Sequence, residues 1–174
     1  MENFCIVGTR YGRIDGKDKA TGRAKYIDDL KFPGMLHGKI LRSPYPHARI
    51  VHIDASRAEK LMGVRAVATV EDTPRKKYGS YRSGVQDELI FAQDKVRYVG
   101  DEVAAVAAID VETAQEALSL IRVEYEEMPA VFHPEEAMKP GAPRVHEEVE
   151  NNVVSHVVTL RGDIEKGFKE ADLI

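Results

Sequence analysis

From Val103 to Glu126 the chain reads VAAVAAIDVETAQEALSLIRVEYE, and its hydrophobic period changes twice. The first part is almost wholly apolar and rich in small alanines, the pattern of a central strand covered on both faces. Asp110 then stands where an N-cap belongs, and Ala114, Ala117, Leu118 and Ile121 recur at helical spacing. Beyond them Ile121, Val123 and Tyr125 alternate with Arg122, Glu124 and Glu126, which predicts a half-buried strand ended by Pro129. A strand–cap–helix–strand unit of this kind demands a layered fold with helices packed on a sheet.

A shorter version occurs upstream. Arg49 to Ile53 reads as a strand, Asp54 as an N-cap, and Ala58, Leu61 and Met62 as the inward face of a short helix closed by Gly63. Val64 to Val70 is a β-branched strand. Ile53-Asp54 followed by Ala58 echoes Ile109-Asp110 followed by Ala114; duplication and convergence of the same local signals both account for it. Further strands are expected at Met35 to Arg42, Leu89 to Phe91 and Val96 to Val99, with a polar loop at residues 71–83. The expected class is α+β or, alternatively, α/β, with two main helices against one mixed sheet. Three regions are expected: an extended lead-in at 1–33, a core at 34–140, and a linker, strand and helix at 141–174.

With 174 residues there is room for one domain or little more. A formal net charge of -4 and the lack of a basic cluster longer than Arg75-Lys76-Lys77 argue against nucleic acid. Cys5 is the one cysteine, so the chain closes no internal disulfide and offers no thiolate set for zinc or iron–sulfur clusters. No apolar run approaches the roughly 20 residues that cross a bilayer, and the first residues lack the order of a secretory signal, so a cytoplasmic home is expected. The closing GDIEKGFKEADLI puts Ile164, Phe168 and Ala171 on one helix face and stops without a polar tail, as a piece of a longer protein would.

Self-contained chemistry is hard to find. Gly79 and Gly84 have the spacing of phosphate-loop glycines, but no Lys-Ser/Thr pair follows. The six histidines show no metal-binding spacing. His133 with Glu135, or His146 with Glu147 and Glu148, would need distant help to hold a metal, and His52 and His156 read as partly buried strand residues. Ser43 and His47 form a local Ser–His pair, without a third orienting group in view. They lie in ILRSPYPHARIVHID, Ile40 to Asp54, where Pro44 and Pro46 stiffen a corner that presents Arg42, His47 and Arg49.

Several segments, in order, resemble one family: GRAKYIDDL, ILRSPYPHARIVHID, GVRAVATVEDTP, DKVRYVGDEVAAVAAI, TAQEALSLIRVEYEEMPAV and GDIEKGFKEADLI. These are similar to the molybdenum hydroxylases, the xanthine dehydrogenase and aldehyde oxidase family, at the α/β-hammerhead domain that opens their large, molybdenum-binding subunit. R-S-P-x-x-H-A at Arg42 to Ala48 and V-R-Y-x-G-D at Val96 to Asp101 are the most specific pieces. Among branches, overall similarity points to the large subunit of 4-hydroxybenzoyl-CoA reductase.

The resemblance implies a multi-subunit oxidoreductase with a molybdopterin-type molybdenum cofactor, 2Fe-2S clusters and usually FAD, the last two on other domains or subunits. Catalytic, cofactor and metal residues are expected outside this chain, leaving a scaffold inactive alone. Its partners would be the rest of the large subunit and the iron–sulfur and flavin subunits, with no nucleic acid and no membrane. Arg42, His47 and Arg49 would be interface residues. A free-standing binding or assembly module of the same fold is the alternative.

Overall fold

A computed structural model describes residue 8, residues 10–79 and residues 86–173 of the chain. Cys5 and Gly84 lie outside the described residues. Contacts divide the chain into two compact units, Met1–Met35 and Leu36–Ile174.

The first unit is less extended than its composition predicts. It holds a short helix, α1 (Gly16–Ala20), and a 3-10 turn at Ile27–Asp29. Asp15 stabilises α1 through ion pairs with Arg13 and Lys19, and the Asp29 carboxylate accepts the Tyr26 amide. Local side-chain bonds therefore create structure where no hydrophobic period exists.

The second unit contains strands β1 (His37–Arg42), β2 (Ala48–Asp54), β3 (Val64–Ala68), β4 (Lys95–Val96), β5 (Glu102–Ala108) and β6 (Arg122–Glu127). Its helices are α2 (Ser56–Glu59), α3 (Val111–Leu120), α4 (Pro134–Ala137) and α5 (Ile164–Glu170). The α+β class holds, but the single mixed sheet does not. Among the described residues there are two three-stranded sheets, ordered β1-β5-β3 and β4-β2-β6, and every pairing is antiparallel. A strand–helix–strand unit gives parallel neighbours only when the chain returns to the same sheet. Here β5–α3–β6 and β2–α2–β3 each cross from one sheet to the other, in opposite directions.

The VAAVAAI run forms the middle of the first sheet, as its composition requires. Ala104 and Val106 pack against Ala117, Leu118 and Ile121 of the α3 face, with Ala58 from α2. Small side chains on both elements allow close approach of helix to sheet. A second cluster, Ala48, Ala92, Val96 and Val103, lies under the other sheet, and Ile53 and Val123 pack against both clusters. Asp110 caps α3 as expected, accepting the Thr113 amide at 2.7 Å.

Other expectations need correction. Asp54 does not cap α2; its carboxylate accepts the Ser56 amide at 2.9 Å, and Ala55 takes the cap position. Met62 is 92% exposed, because α2 ends at Glu59 and the chain has already turned. Leu89 to Phe91 is no strand; Glu88 instead makes one isolated bridge with Tyr78. Of Val96 to Val99 only Val96 lies in a strand, β4, since Asp101 accepts the Arg97 amide and folds the segment back. His52 is exposed, and His156 is exposed and outside any strand.

Candidate functional site

The corner between β1 and β2 is where the sequence concentrates its polar chemistry. β1 delivers Arg42 opposite Glu102 of β5, across a bulge between Leu41 and Arg42. Arg42 Nη1 donates to the Gly100 carbonyl and to Glu102 Oε1, both at 2.7 Å. Glu102 also accepts the Tyr98 hydroxyl at 3.2 Å. The corner is pinned from the same side: Ser43 N donates to Asp101 O and Gly100 N to Ser43 O. Thus the R-S-P and V-R-Y-x-G-D segments, far apart in sequence, meet as one bonded assembly.

Ser43 is buried and its Oγ both donates to the Tyr45 carbonyl and accepts the Tyr45 amide. His47 is 5% exposed, with Nδ1 2.6 Å from the Pro129 carbonyl. A carbonyl only accepts, so Nδ1 carries a proton. Nε2 is buried without a partner among the described residues. Met128 N donates to His47 O, so ring and backbone of His47 together hold the exit of β6. Ser43 and His47 are each engaged elsewhere, which removes the arrangement a nucleophile and its base require. Tyr45 packs against Tyr125 with centroids 5.1 Å apart and the rings tilted by 55°. Arg49, the most exposed of the three corner residues, approaches Glu126 at 3.5 Å.

A second assembly grows from β4. Lys95 is 5% exposed and donates to Glu147 at 2.6 Å and to the Arg144 carbonyl at 3.2 Å. Arg97 Nε donates to Val145 O. Both cations clamp the segment around residues 144–147. Asn152 completes the clamp: its Oδ1 accepts Val145 N, and its Nδ2 donates to Ala137 O and Pro143 O. Sequence reasoning passed over Lys95, Arg97 and Asn152, though the Asn151-Asn152 pair, both at positive φ, was a visible turn signal.

Between the two assemblies lies a cavity of about 420 Å³ lined in part by Tyr78, Asp87, Arg97, Tyr98, Asp101 and His146. Burial, then the Asp101 and Glu102 charges, push Tyr98 up to about 12. Burial also raises the Asp101 carboxyl, while burial followed by the Arg97 charge lowers His146. Lys77 holds Glu148 down at about 2. His146 lies 3.6 Å from Asp87 and touches no metal-binding set. Among the described residues no group of three His, Cys, Asp or Glu side chains converges as a metal would need. The donor set here does not fit a molybdenum or iron centre. What the geometry does is brace: cations and histidine are bound to carbonyls and carboxylates of their own domain.

A family model described as aldehyde oxidase and xanthine dehydrogenase, a/b hammerhead domain, matches residues 21–129. A probable xanthine dehydrogenase component from Bacillus subtilis (strain 168) is 47% identical over 164 residues, 93% of this chain and 21% of its own length. The nicotinate dehydrogenase large molybdopterin subunit of Eubacterium barkeri is 36% identical over 175 residues, 99% of this chain and 40% of its own. Among solved structures, quinoline 2-oxidoreductase from Pseudomonas putida 86 gives a TM-score of 0.76 at 40% identity, over 85% of this chain and 20% of that one. This chain therefore spans between a fifth and two fifths of the length of these relatives. With the match running from the first unit through all six strands, the chain belongs to the aldehyde oxidase and xanthine dehydrogenase family, at its α/β-hammerhead domain.

Proposed function

We propose that the chain is the amino-terminal scaffold of the molybdenum-cofactor-binding subunit of a multi-subunit oxidoreductase, working in the cytoplasm and inactive without the rest. The family match over residues 21–129 carries this reading, because the relatives it joins include one named as a large molybdopterin subunit. Residues 1–33 serve as lead-in, 34–140 as the hammerhead core, and 141–174 as the path into the cofactor-binding region. The molybdenum centre is held by later residues, and 2Fe-2S clusters and FAD by other domains or subunits.

The β1–β2 corner is the contact with those partners. Arg42 and Arg49 keep exposed guanidinium surface beyond their own carboxylates, while His47 fixes the corner from inside. The narrower branch reading, 4-hydroxybenzoyl-CoA reductase, rests on overall sequence likeness.

Purifying the full-length subunit with its partner subunits tests the proposal. Molybdenum, iron and flavin should be found there and be absent from the 174-residue chain. Stoichiometric metal in the short chain, or a full-length protein without molybdenum, favours the free-standing module instead. Activity toward 4-hydroxybenzoyl-CoA against xanthine and nicotinate decides the branch. Arg42→Ala and Arg49→Ala should weaken subunit capture in a pull-down, and unchanged capture removes the corner from the interface.

A further inference from the structure

Beyond the Asn152 clamp the chain enters a segment unlike the rest. Residues 153–161 run without helix, turn or bend. After Val153, whose amide donates to Glu150 O, no backbone hydrogen bond is made up to Asp163 among the described residues. Val153, Val154, Val157, Val158 and Thr159 are β-branched, the composition of a strand and a poor one for a solvated linker. Val157 is 81% and Leu160 75% exposed.

Placement of the apolar residues gives the partner its chemistry. In an extended chain Val153 and Val157 fall on one face, and Val154, Val158 and Leu160 on the other. A strand solvated on one side alternates apolar with polar; one apolar on both faces belongs inside a layered sheet. The ends are fixed too. Asn152 anchors the start, and Gly162, at φ +75, turns the chain into the Asp163 cap of α5. α5 itself leaves Ile164 and Phe168 uncovered.

We propose that residues 153–160 form a β-strand completed from outside this domain, adding by backbone hydrogen bonds to an open sheet edge in the further polypeptide of the large subunit. This rests on the reading that the chain is part of such a subunit. The relatives supply the argument for that occupant: the matched regions cover only 21% and 40% of their lengths. An edge strand with unpaired amides and apolar surface on both faces is matched by another edge flanked by apolar layers.

Amide hydrogen exchange on the full-length subunit is the test. Alternate amides of residues 154–160, those on the paired side, should exchange at least ~100-fold more slowly than in an unstructured peptide of the same sequence. Val157→Pro and Val158→Pro fall on alternate positions, so one of them removes a paired donor and should reduce that protection about tenfold or more, or the yield of folded subunit, while Val157→Ile keeps the donor, the β-branch and the apolar side chain and leaves both at wild-type levels. Exchange at the unprotected rate in a folded, molybdenum-containing subunit overturns the inference and leaves the functional reading standing. A folded subunit without molybdenum overturns that reading whatever the exchange shows. Protection in the 174-residue chain that grows with its concentration also overturns the inference, since the partner would then be a second copy.

Discussion

The two strand–helix–strand units share an Ile-Asp pair followed by an inward alanine and fold to different extents. In β5–α3–β6, Asp110 caps a ten-residue helix, Val111–Leu120. In β2–α2–β3, Asp54 bonds the nearer Ser56 amide and the helix is only the four residues Ser56–Glu59. The longer helix lays Ala114, Ala117 and Leu118 on a full strand; the shorter one buries only Ala58. A capping residue starts a helix, but its length follows from how much apolar face there is to bury. Likeness of local signals is therefore no measure of likeness in stability.

The largest test of this contrast is Leu118→Ala. It deletes a buried side chain from the core cluster and should cost about 2–5 kcal/mol in a denaturant titration. Met62→Ser, in the exposed turn after α2, should stay within about 0.5 kcal/mol. Similar losses from both changes would mean that the units bury equal surface after all.

Gly63 comes next. It sits at φ +97 between α2 and β3, and its carbonyl accepts the Ile109 amide, so it joins the two units. A Cβ there would stand 3.1 Å from Ile109 and Thr113. Gly63→Ala combines left-handed strain with crowding and should cost about 1–3 kcal/mol by thermal or chemical unfolding. A neutral result would show that the units are not coupled through this residue.

The smallest effect expected is at the two aspartates that precede the helices. The Thr113 hydroxyl, then its amide, hold the Asp110 carboxyl below the ordinary carboxylate range, and Ser56 does the same for Asp54. Their folded-state values are depressed, so the contribution is complete above the unfolded value and disappears as pH falls through the folded one. Asp110→Ala should lower the melting temperature at neutral pH more than Asp54→Ala, and the difference should vanish in acid. A difference that persists below both values would assign it to packing.

Sequence periodicity alone identified α3, its buried face and the central place of β5, because regular spacing of apolar residues has few foldable answers. The β1–β2 corner was equally legible, since two prolines in four residues leave the backbone little freedom. The family resemblance was legible as well, from motif order. Tertiary structure decided what periodicity does not encode. Whether β6 returned beside β5 or joined the other sheet depended on contacts far along the chain, and so did the pairing of Arg42 with Glu102 across 60 residues. The clamp of Lys95, Arg97 and Asn152 likewise bonds to backbone carbonyls, which every residue possesses and no side-chain pattern can announce.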